Sequence, residues 1–186
     1  MKTIIKELTI YDYEDLKKDD ELCNDIYQEF WLDDPNNINP WADENLDSFK
    51  KFAETINMSL DYSLSNAEYP CRDNYIKLDY SDYNYVAPGK RAEHIANAIE
   101  DYKGNGYCFC EDLRIYAKKL VAEWHKDYSI TNFCEDMQNR MEALWFKDNR
   151  RHFSKENFLD MVEANDYEFD QYGNLFKEEA WKHYKE

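Results

Sequence analysis

The chain has 186 residues, of which 43% are hydrophobic and 17% aromatic (16 Tyr, 10 Phe and 5 Trp). That content supports a large aromatic core and excludes intrinsic disorder, while only 4 Gly and 4 Pro exclude long flexible linkers. A formal net charge of −17, from 40 carboxylates and 23 cations, opposes binding to nucleic acid or anionic membranes and favours basic partners.

In chain order, Lys2–Tyr11 is β-branched and roughly alternating, which predicts a strand. A helix follows from about Lys18 to Trp31, with Leu22, Cys23, Ile26, Tyr27 and Phe30 at three and four spacing. Pro35 and Pro40 break the chain over Leu32–Ala42. Asp43 is placed to cap a second helix whose apolar face carries Leu46, Phe49, Phe52, Ala53 and Ile56. Leu60–Ser65 and Asp73–Tyr80 predict two strands joined by a hairpin loop over Asn66–Arg72. With the first segment they would form one small antiparallel sheet, covered on one face by the two helices.

From Gly89 the period becomes helical. Ala92–Tyr102 and Phe109–Asp127 each present a single apolar stripe, separated by a stop at Gly104-Asn105-Gly106. Ser129 or Thr131 caps a helix carrying Phe133, Met137, Met141, Leu144 and Trp145, and Ser154 opens a short helix through Val162. Tyr167–Phe176 predicts a hairpin turning at Gly173, and an amphipathic turn around Trp181 and Tyr184 follows. The predicted class is α+β: a small antiparallel sheet packed with about six helices, ending in a C-terminal β-hairpin. A single domain over 1–186 is expected, with an acidic part (1–88) and a mainly helical part (89–186).

Met1–Thr3 runs straight into Ile4 and Ile5, closed by Lys6 and Glu7, which predicts neither a signal peptide nor a membrane span. The five cysteines (Cys23, Cys71, Cys108, Cys110 and Cys134) are expected as free thiols in a reducing, cytoplasmic compartment. Cys108 and Cys110 lack a second ligand pair, so no metal site and no cofactor are expected. Cys110 stands beside Glu111 and Asp112, the wrong field for a nucleophilic thiolate. No catalytic residue is assigned. Asp79 and Asp82 are the pair on which a metal-dependent nuclease acting on RNA would rest.

The most informative cluster is the acidic run from Asp12 to Asp47. Its candidate partner-binding residues are Trp31, Asp33, Asp34, Trp41, Asp43, Glu44 and Asp47, carboxylates interleaved with aromatic anchors. Trp31 has a competing place in the core of its helix. Arg150, Arg151 and His152 form a basic spot expected to pair internally with the acidic third. The helices bearing Trp124, Met137, Met141 and Trp145 suit either a core or a homodimer seam.

Two blocks carry a resemblance. The first is Leu8–Leu16 with the helix ending at Phe30-Trp31, the Phe49–Asn57 segment and the strand Asp73–Tyr80; the second is Met161–Phe176. Both resemble a family of small acidic proteins encoded by phages, prophages and plasmids of bacteria, some labelled antitoxins and similar in size and acidity to anti-CRISPR proteins. The resemblance implies a mobile-element origin and an anti-defence role in the cytoplasm of a bacterial host, and carries over no catalytic residue. The expected function is an inhibitor whose acidic face, a nucleic-acid mimic, binds the basic channel of an RNA-guided CRISPR nuclease, with no direct DNA binding. An antitoxin-like partner of a basic toxin and a metal-dependent RNA nuclease are the alternatives.

Overall fold

The computed structural model describes residues 8–34, 37–65, 74–103 and 109–176. The elements are β1 (Ile10–Tyr11), α1 (Tyr13–Lys18), α2 (Asp20–Ile26) and a π-helical turn (Tyr27–Leu32), then α3 (Ala42–Thr55), β2 (Ser59–Ser63) and β3 (Tyr75–Asp79). Two 3-10 turns (Ser81–Tyr85 and Pro88–Lys90) lead to α4 (Arg91–Asp101), α5 (Phe109–Ala122), α6 (Ile130–His152), α7 (Lys155–Ala164) and β4 (Phe169–Asp170). The class is α+β, with seven α-helices among the described residues. No described helix is long and apolar enough to cross a membrane.

The strands do not form the expected single sheet. Among the described residues, β1 pairs with β4, Ile10 opposite Asp170 and Tyr11 opposite Phe169, while β2 pairs only with β3. The chain divides into two compact units, Met1–Ile38 with Arg150–Glu186, and Asn39–Asn149. The physical reason is that the two sets of aromatic side chains bury into two separate cores.

In the first unit, Asp12 caps α1 in a reciprocal box with Asp15, and Asp19 caps α2 through the Glu21 and Leu22 amides. The predicted Lys18–Trp31 helix corresponds to α2 and the π turn that continues it, started by the Asp19 cap, and the short α1 before it is an additional helix started by Asp12. Its core gathers Leu16, Cys23, Ile26, Trp31, Phe153, Phe158, Val162 and Phe169. Phe158 sits 5.6 Å from Tyr27, 5.9 Å from Trp31 and 6.2 Å from Phe169, ring centre to ring centre. The Tyr27 hydroxyl donates to the Phe153 carbonyl. The C-terminal hairpin reduces to one bridge, Phe169 to Leu175, with Gly173 at φ 80° in its turn.

In the second unit, α3 starts one residue before the predicted cap: Trp41 takes the cap position without a side-chain bond, and Asp43 lies in the first turn. Met137, Met141 and Trp145 are buried in this unit's core with Phe49, Phe52, Ile95 and Leu113. Of the four side chains considered for a homodimer seam, Met137, Met141 and Trp145 are thus covered within one chain, and Trp124 is half-buried. The capping expectations at Ser129 and Ser154 hold, each hydroxyl accepting from an amide three residues on, at 3.2 Å. A buried polar staple joins α3 to α6: the Asn39 and Asn45 amides each donate to Asp148 Oδ2 at 2.7 Å, and Asn39 also donates to Asn149 Oδ1. Both asparagines are nearly fully buried, which makes an unmet amide costly. Asp148→Ala is expected to lower the unfolding free energy by about 2–3 kcal/mol in urea titration, against less than about 0.5 kcal/mol for the exposed Glu123→Ala. The two turns at 66–73 and 104–106, the segment before Leu8 and the terminal segment with Trp181 and Tyr184 lie outside the described residues.

Candidate functional site

The seven candidate residues divide between the units: Trp31, Asp33 and Asp34 belong to the first, Trp41, Asp43, Glu44 and Asp47 to the second. Trp31 is 5% exposed, its indole N–H donating to the His152 carbonyl at 3.2 Å. It packs against Phe158 and takes the competing place in the core rather than an exposed position. Trp41 is the opposite case, 63% exposed. Asp33 accepts from Gln28 Nε2 at 2.9 Å, and Asp34 is half-buried. Asp47 pairs with Lys50 at 3.4 Å. Glu44 is half-buried, with Oε2 enclosed and lacking a hydrogen-bond partner. Asp43 is exposed at the first turn of α3, where unpaired amides favour a negative charge.

The structure gathers a different set of carboxylates. The first unit holds 20 of them against 10 cations in its sequence. A cleft of about 450 Å³ opens between α2 with its π turn and the C-terminal turn, lined by Asp25, Gln28, Glu29, Asp170, Gln171 and Tyr172. A second, of about 260 Å³, lies between the start of α1 and the end of α7, lined by Asp12, Tyr13, Glu14, Glu163, Asp166, Tyr167 and Glu168. Among the described residues, neither lining contains a lysine, arginine or histidine. Asp12 and Asp170 are partly spent on local structure, Asp12 on the α1 cap and Asp170 on the amides of Tyr172 and Asn174. Asp25, Glu29, Glu14, Glu163, Asp166 and Glu168 make no ion pair among the described residues. Gly173 is required at the rim: its φ of 80° is left-handed, and a Cβ there would lie 2.7 Å from Glu29 Oε2.

Sequence reading found Asp12, Glu14, Asp25 and Glu29 within the acidic run but missed Asp170, Glu163, Asp166 and Glu168. Their signal was present only as the excess of acids near the C-terminus. The β1–β4 pairing that brings them to the N-terminal acids is long-range.

No family model, curated protein or solved structure matches this chain.

Among the described residues, Arg150 and Arg151 make no ion pair; both are exposed at the end of α6. The third member of that basic spot, His152, has its Nε2 3.2 Å from Asn37 Oδ1. Among the described residues, Lys155 reaches the acidic run in this unit, at Asp20, 3.2 Å away. Asp79 Oδ1 accepts from the Ser81 amide and starts the following 3-10 turn. No three His, Cys, Asp or Glu side chains among the described residues are grouped so as to hold a metal ion.

Cys23, Cys110 and Cys134 are buried and form no disulfide among the described residues, while Cys71 and Cys108 lie outside them. Burial pushes the Cys134 thiol from 9.0 up to about 12, with the charges of Glu135 and Asp79 adding to the effect. Burial also raises Cys23, opposed by the ammonium of Lys155. Both shifts oppose thiolate formation. Because folding raises the Cys134 pKa, its stabilising contribution is complete below pH 9 and is lost as pH rises towards 12. Iodoacetamide at about pH 8 should leave Cys134 unlabelled in the native protein and label it after unfolding, read by peptide mass. Gly173→Ala should lower stability by about 1–2 kcal/mol in thermal unfolding, since the backbone strain and the Glu29 contact act together.

Proposed function

We propose that this is a binding protein whose first unit presents carboxylate-lined clefts to a basic surface of a partner protein. One observation carries the reading: two clefts lined by eight carboxylates, with no cation among the described residues of either wall. Carboxylates inside a concave wall are less screened than those on a convex surface, so they focus the field on an incoming lysine or arginine. Tyr13, Tyr167 and Tyr172 stand among them and add flat apolar area at low entropic cost. A partner built to grip nucleic acid offers the complementary chemistry, closely spaced cations aimed at phosphates about 1.7 Å apart along the duplex axis.

The resemblance to small acidic phage and plasmid proteins directs the choice of partner to an RNA-guided CRISPR nuclease, with the protein acting as an anti-defence inhibitor that occupies its nucleic-acid channel. The exposed indole of Trp41 is a candidate anchor in the second unit.

The test is inhibition of target-DNA cleavage by a panel of purified RNA-guided nucleases, with binding followed in parallel. Affinity should fall at least about tenfold between about 50 and 300 mM salt. The double variants Asp25→Lys with Glu29→Lys, and Glu14→Lys with Glu163→Lys, should each weaken binding by about tenfold or more, mainly through slower association, with the thermal transition retained. Full inhibition by both folded variants would remove the clefts from the mechanism.

A further inference from the structure

We infer that the outer edge of β2 is a second docking site, occupied by an extended, lysine- or arginine-bearing segment of a partner protein that adds a third strand to the β2–β3 sheet. The register pairs Leu60 with Leu78, Asp61 with Lys77 and Tyr62 with Ile76. On β3, the Ile76 amide donates to Glu142 Oε1 at 3.2 Å and the Leu78 amide to Gln138 Oε1 at 2.9 Å. Those two amides therefore point away from β2, towards α6. In an antiparallel ladder the residues opposite them, Tyr62 and Leu60, then also turn their N–H and C=O groups away from their partner strand. α6 side chains close the β3 edge. Among the described residues, no hydrogen bond reaches the outward groups of Leu60 or Tyr62. One edge of this sheet is capped and the other is left as a template with two N–H and two C=O groups at strand spacing.

Charge selects the occupant. A second copy pairing about Asp61 would set that carboxylate against its own image and join two chains of net charge −17. On the β3 side, Asp61 already stands opposite a lysine, Lys77. On the open side, Asp61 falls at a non-hydrogen-bonded position, where side chains of paired strands approach most closely. A lysine or arginine there would complete the pair. Leu60 and Tyr62, half-buried on the other face, offer apolar area to the alternate side chains of the incoming strand.

The edge lies wholly in the Asn39–Asn149 unit, so this inference stands or falls apart from the cleft reading. The test uses the full chain and three end-blocked probe peptides at millimolar concentration: Val-Lys-Val-Lys-Val, its backbone N-methylated form, and the form with glutamate for lysine. The lysine peptide should slow hydrogen exchange of the Leu60 and Tyr62 amides by about tenfold and leave Ile76 and Leu78 unchanged. N-methylation should abolish the protection, and the glutamate peptide should bind at least about tenfold more weakly. Asp61→Lys, an exposed substitution, should reverse the preference between the two charged peptides. Absence of protection, equal protection by the N-methylated peptide, or protection that rises with protein concentration alone would each overturn the proposal, the last in favour of a second copy.

Discussion

The aromatic core around Phe158 is the constraint on which the first unit depends. Tyr27, Phe30, Trp31 and Phe169 close on it from segments more than a hundred residues apart in sequence. The carboxylates that ring this core repel one another, at about 0.4 kcal/mol per pair at 10 Å in water. Burial of each large apolar side chain returns about 1.5–3 kcal/mol, so the core prevails and the repulsion is tolerated at the surface. The acidic clefts are a consequence: the core brings together two described segments, within 8–34 and 150–176, that are both rich in Asp and Glu.

Among the described residues, little of that charge is neutralised internally. The ion pairs among the described residues are mostly short-range contacts on α3, α4 and α5 and between those helices and their neighbours, at Lys50, Lys51, Lys90, Arg114, Lys118 and Arg140. All of these lie in the second unit. In the first, Lys155 reaches Asp20, and Arg150 and Arg151 remain exposed. The aspartates that the first unit does use, Asp12, Asp15 and Asp19, satisfy helix N-termini, where a carboxylate bonds amides that would otherwise be unmet.

The second unit manages its polar groups differently. Asp148 serves Asn39 and Asn45 in the interior, and Gln138 and Glu142 reach out of the same helix to bond the β3 edge. α6 is thus apolar towards the core through Phe133, Met137, Met141 and Leu144, and polar where backbone or amide groups would otherwise go unpaired. The exposed elements of this unit, Trp41 and the β2 edge, stand out against that satisfied interior.

The sequence by itself determined the class, most of the helices, the stop and start residues at Ser129, Ser154 and Gly173, the aromatic content of the core and the acidity of the N-terminal segment. These are local properties: hydrophobic period, capping chemistry and composition act within a few residues. Tertiary structure alone decided that Trp31 is core and Trp41 is not, although both stand among acids and near prolines. It alone split the strands into two sheets, closed the two units on 38/39 and 149/150, and set Glu163, Asp166, Glu168 and Asp170 beside the N-terminal acids. The reason is that burial and strand pairing depend on which distant apolar surfaces meet, and no short-range pattern records that choice.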